Sequence, residues 1–450
     1  MSSLSSVLAR KCGPLRQYSR ATLFLAALLT LQAVIAAPET SLTLTEAQRL
    51  AVARSRQLSA EDSAWVATHE MAIAAGQLPD PVLKFGLDSW PVNGPNRFTF
   101  GDDDFTEGRV ALSQEWTRAQ KRELRAQRFE REGEKTLAEK TATVANIQRD
   151  TALAWIARYY TEAIANVLTE QANEVQLDIT AAEGAYRAGR GSQAEVLAAH
   201  SALAEIEDRV SEIKRRVRTA KTALARWIGD SSELSLGTKP AMDSVRLDKT
   251  TLATQLGHHP QIAVLAKQEE LAWTEVKLAE ANKHADWSVE LAYAQRGGRF
   301  SDFVSVSVSV PLQWDEAHRQ DREVAAKRAL AEQAGAEREE AVRAHVGEIL
   351  AQIEAWENDR ERLTRYQGQL MPLAKARTAA TSAAYAGGKA SQRDVLLARR
   401  DELDIRVRAL QLEMDTAQLW AQLNFLFPDD NSAASGNLYH GNSTETEESK

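Results

Sequence analysis

Cysteine is nearly missing from this 450-residue chain: Cys12 is the only one, and it lies ahead of the first apolar run. Without paired cysteines there is neither a disulfide framework nor a thiolate metal cluster, so stability has to come from packing and association. Histidine is sparse as well. The pair His258-His259 sits just before Pro260 at an expected helix start, with no carboxylate–histidine spacing nearby, and reads as solvated side chains instead of metal ligands. No glycine-rich phosphate loop or nucleophile elbow occurs, so no catalytic residue, metal site or cofactor is assigned, and the chain is read as not an enzyme. Positive charge is in deficit, with 55 Lys and Arg against 63 Asp and Glu, which disfavours nucleic acid as a partner. Beyond residue 36 no apolar stretch approaches the roughly 20 residues of a membrane-spanning helix. That absence leaves β-barrels open, since their strands need only about 9–11 alternating residues each.

What is present begins with Arg10, Lys11, Arg16 and Arg20, followed by an apolar run over 21–36 that ends with Val34 and Ala36 placed for cleavage. Residues 1–36 are therefore expected to be a secretory signal peptide. Cleavage after Ala36 removes four cations and no acids, taking the net charge from −8 to −12. The mature chain then has no cysteine, and so no N-terminal site for lipid attachment.

Internal repetition organises the rest. Phe105, Leu112, Trp116 and Ala119 recur as Phe303, Val310, Trp314 and Ala317 at an offset of 198, and Tyr186, Gly189, Ser192, Gln193, Val196 and Leu197 recur as Tyr385, Gly388, Ser391, Gln392, Val395 and Leu396 at 199. Shared landmarks in one order argue for duplication. The expected organisation is a signal peptide over 1–36, a first repeat over 37–230, a linker or equatorial segment over 231–250, a second repeat over 251–428 and a disordered tail over 429–450. The linker is expected to form a small surface layer.

Each half reads as helix, strand, strand, long helix, turn, helix. The first helix is expected from Thr45 to about Gln77, where Pro79 and Pro81 stop it. Residues 118–184 hold no proline and one interior glycine, Gly133, which predicts a helix on the order of 100 Å long. The counterpart is expected from Asp315 to Tyr385. Helices of this length suit a coiled coil or helical barrel, with two short helices stacked end to end beside each long one.

The segment from Phe303 to Leu312 alternates strictly, with Val304, Val306, Val308 and Val310 on one face and Ser305, Ser307 and Ser309 on the other. Alone it fits either a barrel wall, with valine toward lipid and serine toward a wet lumen, or a half-buried strand of a soluble sheet. Three further alternating segments, around Leu83–Leu87, Val110–Leu112 and Trp287–Tyr293, favour the barrel. Four strands cannot close one, since that takes about eight, so the chain is expected to oligomerise, three copies supplying twelve strands. Trp116, Trp287 and Trp314 at the helix-side strand ends suit a membrane-interface belt, and equally packing between layers. Gly189 and Gly388 can end the long helices, and Ser192 and Ser391 can cap the next ones with Glu195 and Asp394 three residues on.

Tyr-x-x-Gly-x-x-Ser-x-x-(Asp/Glu)-Val-Leu occurring twice, Leu42-Thr-Leu-Thr-Glu-Ala47, Leu78-Pro-Asp-Pro81, Asp286-Trp-Ser-Val289, Tyr293-Ala-Gln-Arg296 and Pro311-Leu312 resemble the TolC-like outer membrane efflux family. The likeness runs from about Ser41 to Pro428 and looks closest to the branch that works with heavy-metal RND pumps. It implies a mainly α homotrimer with a twelve-stranded β-barrel in outer membrane lipid and a periplasmic α-helical barrel. It also implies a periplasmic adaptor and an inner-membrane RND pump as partners in a tripartite system, with passive efflux of heavy-metal cations. By matching positions, the tips formed by Tyr186, Gly189, Arg190, Gly191 and Ser192, and by Tyr385, Gly387, Gly388, Lys389 and Ser391, would contact the adaptor. Glu195, Arg393 and Asp394 would lie near the aperture, where capping and gating are both open to them. The chain departs from the family pattern at Trp116-Thr-Arg-Ala-Gln-Lys-Arg122 after the second strand. Pro372, inside the second long helix where the first has Asn173, is expected to kink that helix and is a candidate hinge. Drug efflux, type I secretion and a soluble coiled-coil adaptor are the competing readings.

Overall fold

Hydroxyl side chains write the first boundaries. Thr43 accepts the Glu46 N–H at 3.2 Å and starts helix α1 (Leu44–Arg54), and Ser55 ends it while accepting the Leu58 N–H at 3.3 Å to start α2 (Arg56–Ala75). The single helix expected from Thr45 is thus divided, because Ser55 has an extended backbone that suits an N-cap. After Pro79 and Pro81 the chain enters strands β1 (Val82–Asp88) and β2 (Glu107–Trp116), then α3 (Ala119–Arg187) and α4 (Gln193–Ile228). A 3-10 turn (Gly229–Glu233) and an irregular strap lead to α5 (Leu252–Gly257) and α6 (Pro260–Asn282). Strands β3 (Trp287–Gln295) and β4 (Phe303–Ser309) follow, then α7 (Gln320–Arg365), a π-helical turn (Tyr366–Leu370), α8 (Met371–Ala386) and α9 (Gln392–Asn424). This computed structural model describes residues 41–429 apart from 248 and 250, and from Leu42 onward they belong to one compact unit. The expected signal peptide and the tail beyond 429 lie outside the described residues.

Three boundaries differ from the sequence reading. Strand β4 stops at Ser309, short of Leu312, since Pro311 has no N–H to carry the ladder on. Helix α7 begins at Gln320, not Asp315, because the Asp315 carboxylate accepts from the His318 N–H at 3.3 Å and meets its ring at 2.7 Å, holding a turn. The second long helix is also interrupted. Pro372 cannot donate to the Gly368 carbonyl, and the backbone widens at that level so that the Met371 N–H reaches Tyr366.

Near the sheet the helices pack in the order α2, α3, α6, α7, and toward the tips α4, α3, α9, α8, so α3 is interior to both layers. The main core lies where the partners change. Trp155, Ile156, Tyr160, Leu224, Leu256, Ile349, Trp356 and Trp420 meet there, with Leu236, Met242, Val245 and Leu247 of the strap against them. Two indoles hold this level together: Trp155 donates to the carbonyl of Leu42, which bridges to Leu236 of the strap, and Trp420 to that of Ser244 in the strap, each at 3.0 Å. The strap expected as a surface layer therefore contributes to the core. A second cluster of Ile164, Leu168, Val175, Ile206, Ile213, Leu403 and Val407 runs toward the tips. Its seven-residue spacings, Leu168 to Val175 and Ile206 to Ile213, are those of a coiled-coil seam.

Candidate functional site

The four strands form one antiparallel sheet in the order β1-β2-β3-β4. Register aligns Phe85, Val110, Tyr293 and Val304 across it, and beside them Leu83, Leu112, Leu291 and Val306. Residues directly opposite share a face, so one face is mainly apolar, broken by Gln114 and Gln295 toward its ends, and it is open: Phe85 is 75% exposed, Val306 68% and Leu291 52%. The other face is charged and cross-linked. Glu290 accepts from Lys84 and from Arg109, each at 2.7 Å, above Ala111, Ala292 and Ala294, which are buried. Among the described residues β1 and β4 each pair on one side only. An exposed apolar sheet face with two open edges is costly unless lipid or another chain covers it.

At the helix-side end Trp116 and Trp287 lie opposite one another and stack, with ring centres 5.2 Å apart. Trp314 stands beyond β4, 87% exposed. At the far end the sequence reading missed an aromatic group: Trp90 meets Phe98 edge-on at 6.4 Å, and Phe100 lies against Gly108. Its signal was the clustering of Trp90, Phe98, Phe100 and Phe105 around the Gly- and Asp-rich loop. That loop touches the second one backbone to backbone. Gly101 and Gly297 both have positive φ, and a Cβ on Gly297 would fall 2.7 Å from the Gly101 Cα.

Sheet and helices meet in a rigid joint. Lys121, only 4% exposed, pairs with Asp286 at 2.8 Å, and Asp286 also accepts the Arg118 N–H at 3.0 Å. The Thr117-Arg118 crossing is held by that ion pair.

The two tips lie at the opposite ends of α3 and α8. Gly189 and Gly388 adopt φ of 69° and 71°, which lets the chain reverse, and the following helices carry complete capping boxes. Glu195 accepts the Ser192 N–H at 2.8 Å and Asp394 the Ser391 N–H at 2.9 Å, and the latter bond holds the Asp394 carboxyl below its usual range. Tyr186, Arg190 and Ser192 are exposed, as are Gly387, Lys389 and Arg393, whereas Gly191 and Tyr385 are half-buried. The two hairpins are pinned together above the tips by Arg399 to Glu174 at 2.6 Å and to Asp178 at 3.0 Å, and by Arg209 to Asp404 at 2.9 Å. Burial raises the Asp178 carboxyl despite Arg399.

His259 corrects the expectation of a solvated pair: His258 is exposed, but His259 is 5% exposed. Its ring accepts the Gln261 N–H at 3.3 Å and packs on His345 with centres 4.4 Å apart, beside a cavity of about 410 Å³. Burial, with His345 and Arg149 nearby, pushes it down to about 4. Among the described residues no three His, Cys, Asp or Glu side chains are placed to hold a metal ion, and no helix is long and apolar enough to cross a membrane.

No family model and no curated protein matches the sequence. Solved structures do match. The outer-membrane channel OprN aligns with a TM-score of 0.73 at 16% identity, covering 86% of this chain and 90% of its own. CusC, studied for the conformational changes that accompany folding and transmembrane channel formation, aligns at 0.74 with 14% identity, covering 87% and 93%. The CmeC outer membrane channel of Campylobacter jejuni aligns at 0.72 with 14% identity, covering 87% and 88%. The fold is thus the TolC-like fold of outer-membrane channel proteins, long helices joined to a small sheet.

Proposed function

We propose that this chain is one protomer of an outer-membrane efflux duct, three copies of which close a twelve-stranded barrel continued by a helical tunnel. The observation that carries this reading is the sheet, with its exposed apolar face, charged opposite face and two open edges, fixed to helices about 100 Å long. Trp116, Trp287 and Trp314 then mark the membrane interface facing the helices, and Trp90, Phe98 and Phe100 the outer one. The duct is passive. Driving energy enters from an inner-membrane RND pump through a periplasmic adaptor, which docks on the tips at Tyr186–Ser192 and Tyr385–Ser391.

Glu195, Arg393 and Asp394 surround the aperture; the carboxylates already cap helices, and their charge faces a cation as well. Pro372 and the π-helical turn before it form the hinge about which the second hairpin swings. Heavy-metal cations are the proposed cargo. The support is the sequence likeness to the metal branch, since similarity to CusC and to OprN differs by only 0.01 in TM-score.

Fractionation of cells expressing the full chain, with gel mobility compared before and after boiling, tests the duct. A heat-dissociable trimer in the outer membrane and a mature N-terminus near residue 37 are expected. A soluble periplasmic product would overturn the reading in favour of a coiled-coil adaptor. Metal sensitivity of a deletion strain, set against its sensitivity to drugs, tests the cargo.

A further inference from the structure

The two hairpins leave a cavity of about 370 Å³ between them, over α3, with α4 along one wall and α9 along the other. Its floor is apolar. Val175, Ile206 and Leu403 are each at most 9% exposed there, and Leu397, 45% exposed, lines the open side.

Uncommitted polar groups stand at its two ends. Gln171 is 5% exposed, yet its buried Nε2 has no hydrogen-bond partner among the described residues. An amide left so is costly unless something completes it. The pairs Arg399–Glu174 at 2.6 Å and Arg406–Glu170 at 3.4 Å set the register of α9 against α3, which places Gln171 level with the Leu403 end of the cavity. Arg393 lies about 15 Å away along α9, at the tip end.

Charge balance fixes the sign of what fits. Arg209, Arg393, Arg399 and Arg400 line the cavity against one lining carboxylate, Glu205. Arg209 is held by Asp404 at 2.9 Å and Arg399 by Glu174 and Asp178, while Asp394, next to Arg393, is taken by the Ser391 N–H and hydroxyl. Glu205 lies 3.9 Å from Arg400 and answers that cation. One positive charge, that of exposed Arg393, is left without an ion pair among the described residues.

We infer that this cavity binds an amphiphilic monocarboxylate of medium chain length, its head on Arg393, its apolar body on Val175, Ile206 and Leu403, and a hydroxyl at its far end on the Gln171 amide. A half-turn of that amide offers the hydroxyl either a donor or an acceptor. The occupant touches α3 and α4 of the first hairpin and α9 of the second, so it holds the two hairpins at their present spacing. The site lies within one protomer and stands or falls apart from ring closure.

Calorimetric titration of the purified full chain in nanodiscs of zwitterionic lipid, with empty nanodiscs as the blank, tests the site. Decanoate should bind saturably, and ω-hydroxydecanoate several-fold more tightly. Arg393→Gln should weaken both about tenfold, the loss of one charge-assisted hydrogen bond. Gln171→Leu should erase the advantage of the hydroxyl and leave decanoate bound. Ala202→Phe, which fills the cavity from its half-buried wall without touching either polar end, should abolish binding of both. Bound ligand should also slow amide exchange over residues 198–206 and 393–403. A melting temperature close to the parent's shows that each variant is folded. Uptake no greater than that of empty nanodiscs overturns the inference. So does decanol bound as tightly as decanoate, or an affinity unchanged in both Arg393→Gln and Ala202→Phe.

Discussion

The two long helices begin from similar sequence and end up in different company. α3 runs 69 residues unbroken through the middle of both helical layers, whereas its counterpart is α7, a π-helical turn and α8, at the edge of both. α3 buries Trp155, Ile156, Tyr160, Ile164 and Leu168 in succession, while α7 buries chiefly Ile349, Ile353 and Trp356. A helix packed on several sides has no room for a register change. One with an open side can absorb a proline and a widened turn at low cost. The joints to the sheet differ in the same sense: two residues and a buried ion pair enter α3, and a ten-residue exposed crossing enters α7.

The largest break in that contrast should come at the joints. Asp286→Ala leaves the buried Lys121 ammonium unpaired and is expected to cost about 3–5 kcal/mol in denaturant unfolding. Asp315→Ala in the exposed crossing, where only the His318 pair is lost, should cost under about 1 kcal/mol. Equal losses would show that the two crossings are equally rigid.

Next in size is the pair of core tryptophans. Trp155→Phe removes a hydrogen bond to Leu42, whereas the buried indole N–H of Trp356 has no partner among the described residues. The first should destabilise by about 1–2 kcal/mol more than the second in thermal melts.

Acid should act beside the main core, through His259. The folded protein holds this ring neutral down to about 4, while the unfolded chain protonates at the ordinary 6.5. Protons therefore favour the unfolded state in that window: the contribution is full above 6.5, falls as pH drops toward 4 and is flat below. His345, whose basicity burial also lowers, adds in the same direction, with Arg149 and Glu348 the charged neighbours. Melting temperature between pH 7 and 4.5 should decline less in His259→Asn than in the parent.

Smaller in energy but aimed at motion, Pro372→Ala is expected to lower the opening frequency of single channels several-fold with little change in stability, while Asn173→Ala in α3 leaves it alone. An unchanged opening record would remove the hinge. Last, Ser192→Ala and Ser391→Ala should each cost about 1 kcal/mol of local helix stability, read by amide exchange at the tips.

Strong periodicity was legible in advance. The β4 valines, the proline-free run of α3 and the two glycine–serine tips announced element type and order, because a single residue class repeats at one spacing. What stayed hidden depended on contacts between distant segments. Nothing around Ser55 marks it apart from other serines until its backbone is seen extended, and a π-helical turn arises from Pro372 acting on a carbonyl four residues earlier. His259 looked exposed because its burial comes from His345 and Phe427, far along the chain. The Lys121–Asp286 pair spans 165 positions and carries no local signal.

In the proposed duct, the alanines beneath the charged face of the sheet would also govern how the wall treats what slides past it. Ala111 and Ala292 sit opposite each other and leave space in which Lys84, Glu290 and Arg109 lie flat and satisfy one another. A solute in the proposed duct would meet charges linked along the surface, two cations sharing the Glu290 carboxylate, instead of isolated ones on which it would linger. Small residues in that row would thus widen the proposed passage and keep its lining slippery.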